Sequence, residues 1–274
     1  MEIHDHVPME IHDHILRAEG TERHDTPNRG GGIAPRFLVF HYTAGPSAES
    51  AVRWLCNPEA RASAHLVIGR SGKIAQLASF NVKTWHAGKS HWAGLSGLNA
   101  HSIGVEIDNA GRLTRVGSEY RAWFQTAYPE SDVIHARHKN EGEPAYWHAY
   151  TAAQIQTSLE IAKLLTRVYA LENILGHEDI SPGRKSDPGP AFPMENIRSA
   201  ALGRSEEEGD LLQVAASALN IRTGPGAGHA LAGGPLPKGA PLRLLEERDR
   251  WSLVAAEGRE DLEGWVSNAY IQRA

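Results

Sequence analysis

Residues 172–190 read ENILGHEDISPGRKSDPGP. The first residues form a short apolar run of buried-strand type, and the chain then enters a loop stiffened by Pro182, Pro188 and Pro190. His177 stands at the junction, Asp187 lies further along the loop, and Lys185 sits two positions before that Asp. A surface loop needs no such bracing. A carboxylate that must meet a ligand loses ordering entropy at each binding event, and prior restriction of the backbone lowers that cost. From these residues alone, metal ligation, membership of a catalytic set and ordinary loop polarity all stay open.

Working outward, IAPRFLVFHYTAG (33–45) contains a buried-type strand, Ile33 to Tyr42, with His41 at its C-terminal end. SAESAVRWLCNP (47–58) has helical spacing behind Ser47 as its cap. ASAHLVIGRSGKIAQLA (62–78) reads as a β-hairpin around a Ser-Gly turn. In HSIGVEIDNAG (101–111), Ile103, Val105 and Ile107 alternate with Gly104, Glu106 and Asp108, so Glu106 points away from the apolar face. Residues 110–147 are polar, aromatic-flecked and without period, and read as a long functional loop. Thr151 to Tyr169 is the clearest helix, and FPMENIRSAAL (192–202) reads as a closing helix.

The expected fold class is α/β: a mixed central β-sheet flanked by helices, followed by a small all-β barrel of short strands from residue 211 on. The organisation is a flexible N-terminal segment over 1–32, opening on the near-duplication MEIHDHVP and MEIHDHIL, then an α/β domain over 33–204, a charged linker over 205–210 and the barrel over 211–274. With 28 Lys and Arg against 33 Asp and Glu, the formal charge of −5 gives no basic footprint for nucleic acid. One cysteine, Cys56, excludes an internal disulfide, while 15 histidines make imidazole the abundant metal-ligand type. No apolar run approaches a membrane span and the N-terminus lacks a secretory pattern. The expectation is a soluble chain, monomeric, made in the cytoplasm, without membrane insertion or nucleic-acid partner.

A catalytic zinc site takes three protein ligands and leaves one position to water. His41 and His177 at strand ends and Asp187 on the braced loop make such a set if adjacent strands bring them together. Glu106 would serve as general base and Lys185 as a cation stabilising an oxyanion. Taken singly, each of these residues fits packing or solvation equally well, and together they name no substrate.

The pieces VFHYTAG, ASAHLVIGRSGKIAQL, TWHAGKSHW, NAHSIGVEI and GHEDISPGRKSDPGPAFP occur here in that order. They resemble the zinc-dependent N-acetylmuramoyl-L-alanine amidases of the type 2 amidase family, which includes peptidoglycan recognition proteins and phage endolysins. The resemblance covers about residues 33–200. It implies zinc on His41, His177 and Asp187, Glu106 as base or water-positioner, and Lys185 as oxyanion stabiliser. It also implies hydrolysis of the amide between N-acetylmuramic acid and L-alanine of the stem peptide, with peptidoglycan or muropeptides as partner. Trp85, His86, Asn99 and His65 lie in matched motifs as groove-lining, substrate-binding residues, whereas His101, His135, His138 and His148 read as surface. The tail, with LNIRTGPG and EGWVSNAYI at its two ends, resembles bacterial Src-homology-3-like domains and implies attachment to cell wall. The alternatives are a non-catalytic recognition module of the same fold and a cytoplasmic amidase recycling anhydro-muropeptides. Without an export signal, action on the wall would follow release or non-classical export.

Overall fold

A computed structural model of the chain describes residues 9–202, 211–256, 259 and 262–273. The chain forms two compact units, one ending at Leu202 and one following it. The first copy of the N-terminal duplication and the expected linker at 205–210 lie outside the described residues.

The first unit is built on a six-stranded mixed sheet. Its strands, with those of a second sheet that interrupts them in the chain, are β1 (Glu22–Arg23), β2 (Phe37–Tyr42), β3 (Leu66–Ile68), β4 (Ile74–Gln76), β5 (Ser102–Ile107), β6 (Arg112–Val116), β7 (Glu119–Arg121), β8 (Ala127–Tyr128), β9 (Val133–Arg137), β10 (Pro144–His148) and β11 (Asn173–Gly176). The main sheet runs β11-β2-β5-β3-β4-β1. β11, β2, β5 and β3 are parallel, and β3 and β4 form the antiparallel hairpin expected around Gly72.

Side-chain alternation divides the sheet into two unlike faces. Leu38, Phe40, Ile103, Val105, Ile107 and Ile174 face helix α2 (Ala152–Tyr169), where they bury Ile161, Leu164 and Leu165. Each such side chain contributes roughly 1.5–3 kcal/mol on burial. α2 starts at a capping box: the Thr151 hydroxyl accepts the Gln154 N–H at 3.1 Å and the Gln154 carboxamide accepts the Thr151 N–H at 3.1 Å. On the opposite face, two apolar clusters stand apart. One joins Phe37, Val39 and Leu175 to Ala87, Leu98 and Ile180, and the other joins Val67 and Ala75 to Ala51 and Leu55 of helix α1 (Ala48–Leu55). Between them the same face carries His41 and Glu106, register partners on β2 and β5. The polar site thus occupies a gap between two greasy supports.

Two expectations need correction. The segment over 1–32 is not a flexible approach from residue 9 on: Glu10–His12 pairs with Ile15–Arg17, and β1 is an edge strand of the main sheet beside β4. It is ordered by specific polar contacts that no periodicity reveals. The Leu16 N–H donates to the Gln76 carboxamide at 2.9 Å, and buried Asn28 donates to the carbonyls of Leu55, Asn57 and Ala62 where α1 ends. The stretch 110–147, read as a loop, belongs to a five-stranded antiparallel sheet that runs from Arg112 to His148 in the order β8-β7-β6-β10-β9. Its strands are two to five residues long and exposed at half of their positions; Ala110, Leu113, Tyr120 and Ala122 form one buried cluster, and Trp147 and His148 of β10 are buried as well.

The second unit is the expected all-β module, with β12 (Leu211–Val214), β13 (Pro241–Arg248), β14 (Trp251–Ala256), β15 (Glu263–Ser267) and β16 (Ile271–Arg273) in the order β15-β14-β13-β12-β16. The two ends of its sequence signature pair with each other: Arg222 and Trp265 exchange backbone hydrogen bonds of 2.9 and 2.7 Å. Gly264 is required there, since a Cβ would stand 2.6 Å from the Arg222 carbonyl oxygen. Among the described residues no helix is long and apolar enough to cross a membrane.

Candidate metal centre

His41 ends its run on β2, and His177 opens helix α3 (His177–Ile180) directly after β11, the neighbouring strand. The braced loop returns Asp187 between them, held by the Glu178 N–H to the Asp187 carbonyl at 2.9 Å and by the Tyr150 hydroxyl to the Pro188 carbonyl at 2.8 Å. All three side chains are buried. Asp187 Oδ2 lies 2.9 Å from His41 Nδ1 and 3.0 Å from His177 Nδ1, and the two Nδ1 atoms are 2.9 Å apart.

The protons on these rings follow from their outer nitrogens. The Leu98 carbonyl can only accept, so the Ser102 hydroxyl donates to it at 2.6 Å and accepts from His86 Nε2 at 3.2 Å. That leaves His86 Nδ1 to accept from His41 Nε2 at 3.0 Å. His177 Nε2 donates to the Ala87 carbonyl at 3.1 Å, because the Arg184 Nη2 hydrogens are taken at 2.7 Å by the Lys89 carbonyl and the Ser181 hydroxyl. Burial, then the neighbouring His177, holds His41 at about 4, and burial keeps His86 well below the usual imidazole range, so both rings are neutral at pH 7. With Nε2 of each ring turned to an outer partner, Nδ1 of both His41 and His177 faces the same carboxylate oxygen.

Two imidazole nitrogens and a carboxylate oxygen brought to 2.9–3.0 Å of one another are a donor set for a shared cation. Atoms about 2.0–2.2 Å from one tetrahedral ion stand roughly 3.3–3.5 Å apart. The observed triangle needs only a few tenths of an ångström of opening, so His41, His177 and Asp187 fit a metal. The segment His86-Ala87 frames it, supplying the outer partner of both imidazoles. That segment is itself held by Asn99, whose Oδ1 accepts the N–H groups of His86 and Ala87 at 3.0 and 2.7 Å. Gly104 leaves room for the His86 ring, from which a Cβ would be only 2.3 Å away.

Glu106 stands beside His41 across the sheet. Its Oε2 is buried and has no hydrogen-bond partner among the described residues. Burial, aided by the charge of Asp187 and opposed by Lys185, pushes its carboxyl well above the usual range. Lys185 itself is exposed, and its charge is felt at both Glu106 and His41.

The expected groove residues fare differently. His65 is fully buried and lines no groove: Nε2 donates to the Val82 carbonyl at 2.8 Å, while Nδ1 accepts from the Gly104 N–H and the Thr84 hydroxyl, both at 3.0 Å. His86 lies under His41, and half-buried Asn99 ties the backbone of His86 and Ala87, so both hold the frame of the centre. Trp85 is half-buried. His138, read as surface, is buried and donates through Nε2 to Glu178 at 2.6 Å, next to His177, while buried His148 accepts the Ala110 N–H at 3.1 Å. The TWHAG piece was the available signal for the frame, but contacts between residues 45 positions apart are not legible in spacing.

The N-acetylmuramoyl-L-alanine amidase family model matches residues 31–190, and the bacterial SH3 domain model matches residues 217–272. The chain is 32% identical over 200 residues to N-acetylmuramoyl-L-alanine amidase AmiD of Escherichia coli K12, covering 69% of this chain and 62% of AmiD, just under two thirds of that relative. It is 30% identical over 183 residues to 1,6-anhydro-N-acetylmuramyl-L-alanine amidase AmpD of the same strain, covering 60% of this chain and 81% of AmpD. Among solved structures, a selenomethionine derivative of AmpD aligns with TM-score 0.47 and 27% identity over 67% of this chain and 96% of that one. A complex of E. coli AmiD with anhydro-N-acetylmuramic acid-L-Ala-D-gamma-Glu-L-Lys aligns with TM-score 0.47 and 25% identity over 72% of this chain and 66% of that one. The family model spans more than half of the chain, over the same residues that carry the metal centre. The chain belongs to the N-acetylmuramoyl-L-alanine amidase family and carries a bacterial SH3 domain after its amidase domain.

Proposed function

We propose that the chain is a zinc-dependent hydrolase of the amide between N-acetylmuramic acid and the L-alanine of the stem peptide. The observation that carries this is the convergence of His41 Nδ1, His177 Nδ1 and Asp187 Oδ2 within 3.0 Å of one another, beside a Glu106 oxygen with no hydrogen-bond partner among the described residues. Two imidazoles and one carboxylate suit zinc, with a position left for water. Zinc bound there would acidify a water and polarise the amide carbonyl.

Glu106 Oε2 takes a proton from the attacking water as its oxygen bonds to the carbonyl carbon. The C–N bond then breaks, and the same carboxyl delivers that proton to the leaving L-alanine nitrogen. A carboxyl raised by burial holds the proton between these steps more readily than a solvated one would. Lys185 offers its ammonium to the carbonyl oxygen as negative charge gathers on it. His86, Ser102 and the Ala87 carbonyl keep the two imidazoles turned and protonated on the outer side.

The bacterial SH3 domain points to polymeric wall as substrate, whereas the relative AmpD is named for 1,6-anhydro-N-acetylmuramyl-L-alanine. Digesting purified sacculi and soluble anhydro-muropeptides side by side, with zinc present, separates the two. The expected product is intact stem peptide with a free L-alanine amine. Cleavage between stem amino acids would make the chain a peptidase, and no cleavage of either substrate would return it to a recognition role; either result refutes the amidase reading.

A further inference from the structure

We propose that Trp123 is a stacking platform for a pyranose ring of the substrate glycan, a sugar subsite built by the inserted sheet at the rim of the metal centre. The inference rests on the amidase reading above. Trp123 is 73% exposed, whereas tryptophan is on average a highly buried residue. The exposure does not come from slack. The indole Nε1 donates to the Ala44 carbonyl at 2.7 Å, and Phe124 braces the ring edge-on at 5.6 Å between centroids. The turn beneath is closed by the Gln125 N–H to the Ala122 carbonyl and the Ala122 N–H to the Thr126 carbonyl, both 2.9 Å. The polar edge of the ring is thus satisfied within the protein, and what remains for a ligand is an apolar plate.

Its anchor sets where that plate stands. Ala44 is three residues past His41, hence within about 11 Å of it by chain length alone. The loop holding Ala44 runs from the C-terminal end of β2 to α1, which packs on the face of the main sheet that carries His41 and Glu106. The next two residues of that loop, Gly45 and Pro46, line a cavity of about 150 Å³ together with Arg70, Asp108, Tyr128 and Asp132. At about 30 Å³ per water molecule, that cavity is roomy enough for a small polar substituent such as an N-acetyl group. An amino-sugar ring has an apolar C–H face and a rim of hydroxyl and amide groups. An indole plate beside a polar cavity is complementary to that combination. In the proposed reaction the scissile amide hangs directly from muramic acid, so a plate this near the centre falls within reach of a neighbouring sugar of the same glycan.

The test compares kcat/KM for a muramyl peptide carrying one sugar with kcat/KM for the same peptide carrying a second, attached N-acetylglucosamine. Trp123→Ala should lower the two-sugar to one-sugar ratio about three- to ten-fold, the worth of one aromatic contact, and Trp123→Tyr should restore most of it. Independently of turnover, titration with an N-acetylglucosamine trimer should quench tryptophan fluorescence in the full chain and lose that response in Trp123→Ala. An unchanged ratio with an unchanged fluorescence titration, or equal losses on both substrates, would overturn the subsite. If the parent chain cleaves neither substrate, the amidase reading fails on its own, and the sugar titration alone decides the fate of the plate.

Discussion

The Ser102 hydroxyl, hydrogen-bonded to a carbonyl that cannot donate, fixes the direction of every proton from Leu98 to the bare Nδ1 of His41. Removing a partner of this kind typically weakens metal binding about 10- to 100-fold. His86→Ala is therefore expected to raise the zinc dissociation constant by that factor, measured by competition with a chromogenic chelator; an unaltered constant would show that His86 does not orient His41. Glu106→Gln keeps shape and removes the proton acceptor. Turnover should fall about 100- to 10,000-fold at unchanged zinc content, and retained turnover would take Glu106 out of the mechanism. At this scale the placement of His41 and His177 at strand ends, of Glu106 opposite an apolar face and of Asp187 on a braced loop was legible, because strand parity and prolines leave marks in the sequence; the roles of these residues came only with the family resemblance. The role of His86 was not: its motif named the residue, but only the folded sheet brings it under His41, 45 positions away.

Among the elements, α2 and the β5 alternation were readable because each buries one apolar stripe against a polar opposite face. The inserted sheet over 110–148 was not, since strands of two to five residues, exposed at half of their positions, are too short to set a period. The seam between β3 and β5 holds a titratable device of its own. His65, just before β3, accepts the Gly104 N–H of β5 on Nδ1, and burial lowers the ring from 6.5 to about 4. The folded state thus favours neutral His65, and the unfolded chain binds a proton first as pH falls. This contribution is complete above pH 6.5 and is lost as pH drops towards 4, amounting to about 3 kcal/mol at most. Urea midpoints should fall across that window, and His65→Asn should lower stability at pH 7 while flattening the slope; an equally steep slope in the variant would place the titration elsewhere. Thr151→Ala, which removes the hydroxyl of the α2 capping box, should cost about 1 kcal/mol in the same assay.

For the whole molecule, metal and fold are linked. Three buried acceptors in contact repel one another until a cation joins them, so zinc binding should stabilise the amidase unit by mass action, about 2.7 kcal/mol at a hundredfold excess over its dissociation constant. Dialysis against chelator should abolish amide hydrolysis and lower the thermal midpoint of that unit, with both restored by zinc; activity that survives in metal-free protein would discard the centre. The amino-acid sequence by itself determined the two-domain order, the α/β class, the strand ends that carry His41 and His177, and the loop chemistry around Asp187, because local patterning and ordered motifs are properties of neighbours along the chain. Only the tertiary structure decided that His86 and Asn99 frame the centre, that His65 bridges to β5, that the N-terminal approach joins the sheet, and that Trp123 is pinned to the Ala44 carbonyl. Those outcomes depend on hydrogen bonds and packing between residues far apart in the chain, and such contacts come into being only when the sheet has closed.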